Sequence, residues 1–336
     1  MHIDSRKYYY NRSLYSIVLG QSQFSINYLQ TQEITPYSKP LLMTAENLTP
    51  HSTTPSPSAV TQTARSVLIT GCSTGIGLVT AQHLQANGFQ VIASVRNADD
   101  ISKLVDLGIE CIQLDLTQTI SIDAAVEYIE AHHPQLYGLV NNGAYGQPGA
   151  VEDLTTTALR EQFETNFFGT HELTQRLIPL FRDNNAGRII QISSVLGFVG
   201  LPMRGAYNAS KFALEGLSDT LRVELLSTNI KISIIQPGPI ESDFRPNAYK
   251  AFAKHIDAEN SVHKKVYTQV YDRLHRKENA RFTLPASAVA KCVEQALSST
   301  KPKVRYRVTL PTIVMAALKR LLSDHCLDRF IAKQGN

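Results

Sequence analysis

Apolar positions along this chain follow two alternating spacings. Short continuous apolar runs over 67–69, 89–95, 110–114, 137–140, 188–192, 231–235 and 304–310 have the length of buried strands. Between them, apolar residues recur at three- and four-residue steps, the period of a helix with one buried face. Helices are expected from the loop at 70–77 to 87, near 100–107, from about 120 to 132, from about 156 to 181, from 205 to about 226, and over 285–298. Strand and helix in alternation predict an α/β fold. Its centre is a single doubly wound parallel sheet of about seven strands, flanked by helices, with ligands bound beyond the strand carboxyl ends.

Three stretches break this rhythm. Residues 1–64 are rich in Ser, Thr, Gln, Pro and Tyr without a sustained period, and read as a disordered polar tail. Met43 is an alternative start within it. Residues 243–282 carry no strand pattern and read as a helical insertion on the substrate side, with Tyr249, Phe252, Tyr267 and Tyr271 on an apolar face. Its cations Lys264, Lys265, Arg273, Arg276 and Lys277 are either the solvated side or an anion-binding surface. Residues 311–336 read as one amphipathic helix, built on Ile313, Val314, Ala317, Leu318, Leu321, Leu322, Leu327 and Phe330. Such a helix packs on the body or a partner subunit, or makes a peripheral contact with a membrane surface. The body thus spans 65–310.

Composition narrows the function classes. The 336 residues are 43% hydrophobic and 18% charged, ample for a large core. A net charge of +4 without a concentrated basic patch argues for no nucleic-acid partner. Cys72, Cys111, Cys292 and Cys326 stand singly, so no metal site and no disulfide framework is expected. Isolated thiols fit a reducing, cytoplasmic location. No apolar run reaches the roughly 18 residues of a membrane span.

The candidate chemistry sits at strand ends. Thr70-Gly71-Cys72-Ser73-Thr74-Gly75-Ile76-Gly77 links a strand to a helix, the arrangement that cradles a pyrophosphate on backbone N–H groups and a helix N-terminus. After the second strand, where an acid would bind an adenosine ribose, stand Val95 and Arg96. A missing acid and a present arginine favour a 2′-phosphate, hence NADP(H), over a plain surface cation. The turn Asn141-Asn142-Gly143-Ala144 exposes backbone to a ligand. Asn166 is a polar amide in an apolar helical stretch, either functional or a satisfied core residue. Tyr207 and Lys211 are four apart and share a helical face, which makes them an acid–base pair or an ordinary surface pair. In the first case the ammonium would lower the phenol's pKa.

In combination these motifs resemble the short-chain dehydrogenase/reductase family over about 66–310, and imply its Rossmann-type catalytic domain. Within it, the chain resembles the retinol dehydrogenase and 17β-hydroxysteroid dehydrogenase-like branch and bacterial NADP-dependent aldehyde reductases. The stretches carrying that likeness include Asn166-Phe-Phe-Gly169, Gly205-Ala-Tyr207 and Pro237-Gly-Pro-Ile240. The resemblance implies Asn166, Ser194, Tyr207 and Lys211 as catalytic residues. Ser194 is selected over Ser193 by its thirteen-residue distance from Tyr207. It implies cofactor contacts from Gly71, Ser73, Thr74, Gly75, Ile76, Gly77, Arg96, Asp115, Leu116, Asn142, Gly143, Ala144, Tyr207, Lys211, Pro237, Gly238, Ile240 and Ser242. Gly143 and Ala144 stand in the reverse of the family's usual order. The implied substrate is a small apolar carbonyl compound or alcohol, and the implied assembly a homodimer or homotetramer. A non-catalytic NADP-binding sensor of the same fold is the rival reading.

Overall fold

The computed structural model describes residues 65–334 apart from Lys277. The expected N-terminal tail lies outside the described residues. Seven strands form one parallel sheet: β1 Ser66–Ile69, β2 Gln90–Val95, β3 Glu110–Gln113, β4 Gly138–Asn141, β5 Gly187–Ile192, β6 Ile230–Gln236 and β7 Arg305–Arg307. Their order is β3-β2-β1-β4-β5-β6-β7, with every neighbouring pair parallel. The order reverses between β1 and β4, which opens a crevice at their carboxyl ends.

The central strands are continuous buried runs because helices cover both faces. One face packs under α1 Gly75–Ala86, α2 Ile101–Val105 and α9 Ser287–Ser298, through Ala81, Leu84, Leu104, Val289 and Val293. The other packs under α3 Thr119–His132 and α5 Gly169–Asp183, through Ile122, Ile129, Leu173, Leu177 and Phe181. The long helix expected over 156–181 is α4 Thr156–Phe163 and α5, joined by a π-helical turn over Glu164–Phe168. Such turns displace side chains from the regular ladder and recur at functional sites. Here the turn carries Asn166.

The region 243–282 contains α7 Phe244–His255 and α8 Lys264–His275, following α6 Gly205–Glu224 in chain order. The two helices build their own small core from Ala248, Phe252, Ile256, Tyr267, Val270 and Leu274, and Ala150 from the loop after β4 joins it. The Tyr267 hydroxyl donates to Asp153 Oδ2 at 2.5 Å and accepts from Ala150 N–H at 3.0 Å, which ties the insertion to that loop.

Two boundaries differ from expectation. The last strand covers only Arg305–Arg307, because Thr309 and Thr312 turn inward against Gly238 and the chain enters α10 Leu310–Leu321, with Pro311 in its first turn. The C-terminal apolar repeat is two helices rather than one: α10, then α11 Asp324–Gln334, separated at Leu322–Ser323. Leu327 and Ile331 of α11 pack on Val199 with Leu318 and Leu322, so the break lets both helices cover the 198–201 loop.

Candidate active site

A cavity of about 1020 Å³ runs along the carboxyl ends of the strands. One end is the glycine loop. Gly71 and Gly75 have φ of +71 and +59, the left-handed region open to glycine. A Cβ on Gly71 would stand 2.8 Å from Gly143 Cα, and one on Gly77 would stand 2.1 Å from the Gly71 carbonyl oxygen. No side chain larger than hydrogen fits either place. Thr70 Oγ1 accepts from the N–H groups of Asn142 and Gly143 at 3.0 and 2.8 Å. Asn142 Nδ2 donates back to the carbonyls of Thr70 and Gly71. The loop after β1 and the turn after β4 are thus laced into one surface. The N-terminus of α1 has no side-chain cap and no acid in its first turn, so its N–H groups and dipole are free for an anion. The residues present fit a dinucleotide pyrophosphate.

Val95 is buried at the end of β2, while Arg96 and Asn97 line the cavity beside Ser73 and Thr74. Asp115 Oδ1 accepts from the N–H and hydroxyl of Thr117, which fixes its carboxylate at the cavity wall beside Leu116. Gly71, Ser73, Thr74, Gly75, Ile76, Gly77, Arg96, Asp115, Leu116, Asn142, Gly143, Ala144, Tyr207 and Ser242 all line the cavity. Lys211 does not, and neither do Pro237, Gly238 and Ile240. The Pro237 carbonyl accepts from Val195 N–H, Gly238 is pressed against Thr309, and Ile240 pairs with Leu284. These three shape the turn after β6 from behind.

Ser194, Tyr207 and Lys211 come together where β5 ends. Ser194 Oγ accepts from Leu196 N–H at 3.1 Å, and its hydroxyl lies close enough to the Tyr207 hydroxyl to favour the phenolate. The Oγ of Ser193 lies instead near Gly197 and Glu215, without a partner among the described residues. Lys211 is buried, and its Nζ donates to the Ile192 carbonyl at 2.7 Å, 5.9 Å from the centre of the Tyr207 ring. Burial pushes this ammonium down to about 8, with the Glu215 carboxylate opposing the shift. Glu215 in turn accepts from Gln236 Nε2 and Arg305 Nε.

The electrostatics of Tyr207 correct the sequence expectation. Burial pushes the phenol up to about 12, against the neighbouring Ser194 hydroxyl and the charge of Arg204, both of which favour the phenolate. The acting cation is Arg204, whereas Lys211 is drawn beneath the ring to the β5 carbonyl. Asn166 is likewise committed. Its Oδ1 accepts from Tyr145 N–H, and its Nδ2 donates to the Tyr145 carbonyl and to Ser210 Oγ. A water held by this side chain would have only a remaining Oδ1 lone pair to use.

Two residues of the site escaped sequence reasoning. Phe244 stands edge-on to the Tyr207 ring with centroids 5.3 Å apart, and only a glycine at 146 leaves room for it. No local pattern marks it. Arg204 lies three residues before Tyr207, and that spacing was its only available signal.

The chain belongs to the short-chain dehydrogenase family, whose model matches residues 65–252. It is 41% identical over 269 residues to YbbO of Escherichia coli K12, described as an uncharacterized oxidoreductase, covering 80% of this chain and 94% of that protein. It is 31% identical to the NADPH-dependent 3-dehydrocapnine reductase of Ornithobacterium rhinotracheale, over 80% of this chain and 96% of the relative. To human retinol dehydrogenase 8 it is 30% identical, over 78% and 87% of the two chains. The likeness to the retinol and steroid dehydrogenase branch is therefore real, and the chain is an oxidoreductase of a family that uses a nicotinamide cofactor.

Proposed function

We propose that this protein is an NADP(H)-dependent reductase or dehydrogenase that interconverts an apolar aldehyde or ketone and its alcohol. The observation that carries this reading is the buried Ser194–Tyr207–Lys211 cluster at the end of a cavity with a glycine cradle. The Arg96 guanidinium at a position without an acid supports NADP(H) over NAD(H), as does the NADPH dependence named for the 3-dehydrocapnine reductase relative.

The bound nicotinamide supplies or accepts the hydride. Ser194 holds the substrate oxygen by a hydrogen bond, from a hydroxyl already fixed at Leu196 N–H. Tyr207 donates its proton to that oxygen as negative charge develops on it, and takes the proton back in the oxidative direction. Lys211, held at the Ile192 carbonyl, would donate to the ribose hydroxyls of the bound cofactor. Asn166 anchors the Tyr145 turn and Ser210, and so sets the wall against which Tyr207 works. Phe244 excludes water from the phenol. No observation favours the sensor reading over this one.

The finer setting follows the same chemistry. Leu310, Ile313, Val314 and Leu321 form an exposed apolar stripe on α10 beside Arg320. This stripe supports a peripheral contact with a membrane that carries apolar substrate. Among the described residues no helix is long and apolar enough to cross a membrane. Exposed Phe168 in the π turn and Phe212 on α6 support a homodimer through that face, and four free cysteines accord with a cytoplasmic location. The test is absorbance loss of NADPH over a panel of aldehydes and ketones. Turnover of aldehydes is expected, and NADPH binding without turnover across the panel would overturn the reading.

A further inference from the structure

The stripe of α6 that carries Lys211 continues with charge. Lys211, Glu215 and Asp219 follow one another at four-residue steps and so share one helical face. That face reaches the neighbouring strands β5, β6 and β7. Lys211 Nζ donates to the carbonyl of Ile192, the last residue of β5. Glu215 Oε1 accepts from Nε2 of Gln236, the last residue of β6, at 2.8 Å. Ile192 is in register with Ile235, the residue before Gln236, so the two anchors stand side by side on adjacent strands. Glu215 Oε2 accepts from Arg305 Nε of β7 at 3.0 Å, and Asp219 Oδ2 accepts from Arg305 Nη2 at 2.7 Å.

Charge therefore alternates outward from the site: ammonium, carboxylate, guanidinium, carboxylate. Lys211 and Glu215 are buried, whereas Asp219 is partly exposed. The hydrogen-bond partner of Lys211 Nζ is a neutral carbonyl, so the ammonium has no direct counter-ion there. Glu215 is fixed one turn along, at the residue next to that carbonyl. A Cβ added to Gly197 would stand 3.1 Å from Glu215 Oε1 and 2.3 Å from Ser193 Oγ, so the glycine lets the carboxylate close in on Ser193. Around the pair, α6 contributes Tyr207 and Asp219, the residue before it Arg204, and β7 Arg305. At this end of the sheet β5 and β6 offer neutral groups, the Ile192 carbonyl, Ser193 and Gln236. A buried ammonium is costly, and a nearby carboxylate offsets that cost. Glu215 accordingly opposes the downward shift of Lys211. Arg305, bound to the same carboxylate, limits how much of its charge is left for Lys211.

We infer that Glu215 is a positioning residue for the reaction, which holds the charge of Lys211 from β6 and β7 while Arg305 sets its strength. The inference deepens the reductase reading above and rests on it. The experiment titrates the full chain with NADPH by cofactor fluorescence between pH 7 and pH 10, and so needs no turnover. Wild-type affinity is expected to fall above about pH 8, as the ammonium loses its proton. In Glu215→Gln that limb should move down by about one unit, the lower end of what a close opposite charge does to a pKa. Affinity then drops about twofold at pH 7 and about tenfold at pH 9. Glu215→Asp keeps the charge and should hold the limb within about half a unit of wild type. Arg305→Gln breaks the same contacts but releases the carboxylate, and should move the limb up. If Glu215→Gln does not fold, the last two variants decide. A limb that stays in place in Glu215→Gln, a loss equal at pH 7 and pH 9, or a downward shift in Arg305→Gln overturns the inference and leaves Glu215 a structural tie between α6 and the sheet. A wild type that binds NADPH evenly from pH 7 to pH 10 overturns it too, and the reductase reading stands. A wild type that binds no NADPH ends both.

Discussion

The cofactor side and the substrate side of this cleft are built from different materials. On the cofactor side, Thr70, Asn142 and the glycines at 71 and 77 join two loops through backbone groups, where a methyl added at 71 would meet the Gly143 backbone and one at 77 the Gly71 carbonyl. On the substrate side, side chains from α7 and α8 meet the loops and helix around the site: Phe244 on Tyr207 and Tyr267 on Asp153. A backbone cradle recognises what every cofactor of a class shares. A side-chain wall can be rebuilt by substitution without disturbing the sheet, and it is where selectivity resides.

The contrast can be broken in several ways. Tyr207→Phe should cost about 10²–10⁴-fold in turnover, the usual scale of a general acid, and leave NADPH affinity within a small factor by fluorescence titration. Equal loss of both would mean that the phenol belongs to the cofactor side. Arg96→Ala should weaken NADPH about 10–100-fold, the scale of a lost charged hydrogen bond, and leave NADH unchanged. A uniform loss for both cofactors would remove the 2′-phosphate role.

The pH profile probes the seam between the halves. Lys211 has its pKa lowered from 10.5 to about 8, so its charge is present below that pH and lost as pH rises through it. Tyr207, pushed up to about 12, keeps its proton throughout. The kcat/KM for NADPH in the reductive direction, which reports the free enzyme, should therefore fall above about pH 8. A plateau to pH 10 would contradict it. The smallest effect is expected from Phe244→Ala, which removes an edge-to-face contact of about 0.5–1.5 kcal/mol. It should lower the melting temperature slightly and raise KM for the carbonyl compound, with NADPH affinity unmoved.

Much of the cofactor side was legible in the chain, because its rules are local. Glycine spacing, the strand before it and the helix after it are contiguous, and the positive φ values at 71 and 75 are what those glycines permit. Val95 followed by Arg96 was legible for the same reason. One local inference that failed was the tuning of Tyr207 by Lys211. Shared helical face was read correctly, but the Ile192 carbonyl on β5 captures the ammonium, and that partner is nineteen residues away. The π turn at Asn166 and the break between α10 and α11 were also beyond reach, since an apolar repeat reads alike through a regular helix and a locally displaced one.

The sequence by itself determined the alternation of strands and helices, the glycine cradle, and the set of residues able to do chemistry, because each depends on neighbours or fixed spacings. Only the tertiary structure decided how those residues act. Burial raises the phenol and lowers the ammonium, and Phe244 reaches Tyr207 only because α7 packs against the start of α6. Desolvation and charge proximity depend on which surfaces come together in space, and no spacing along the chain encodes that.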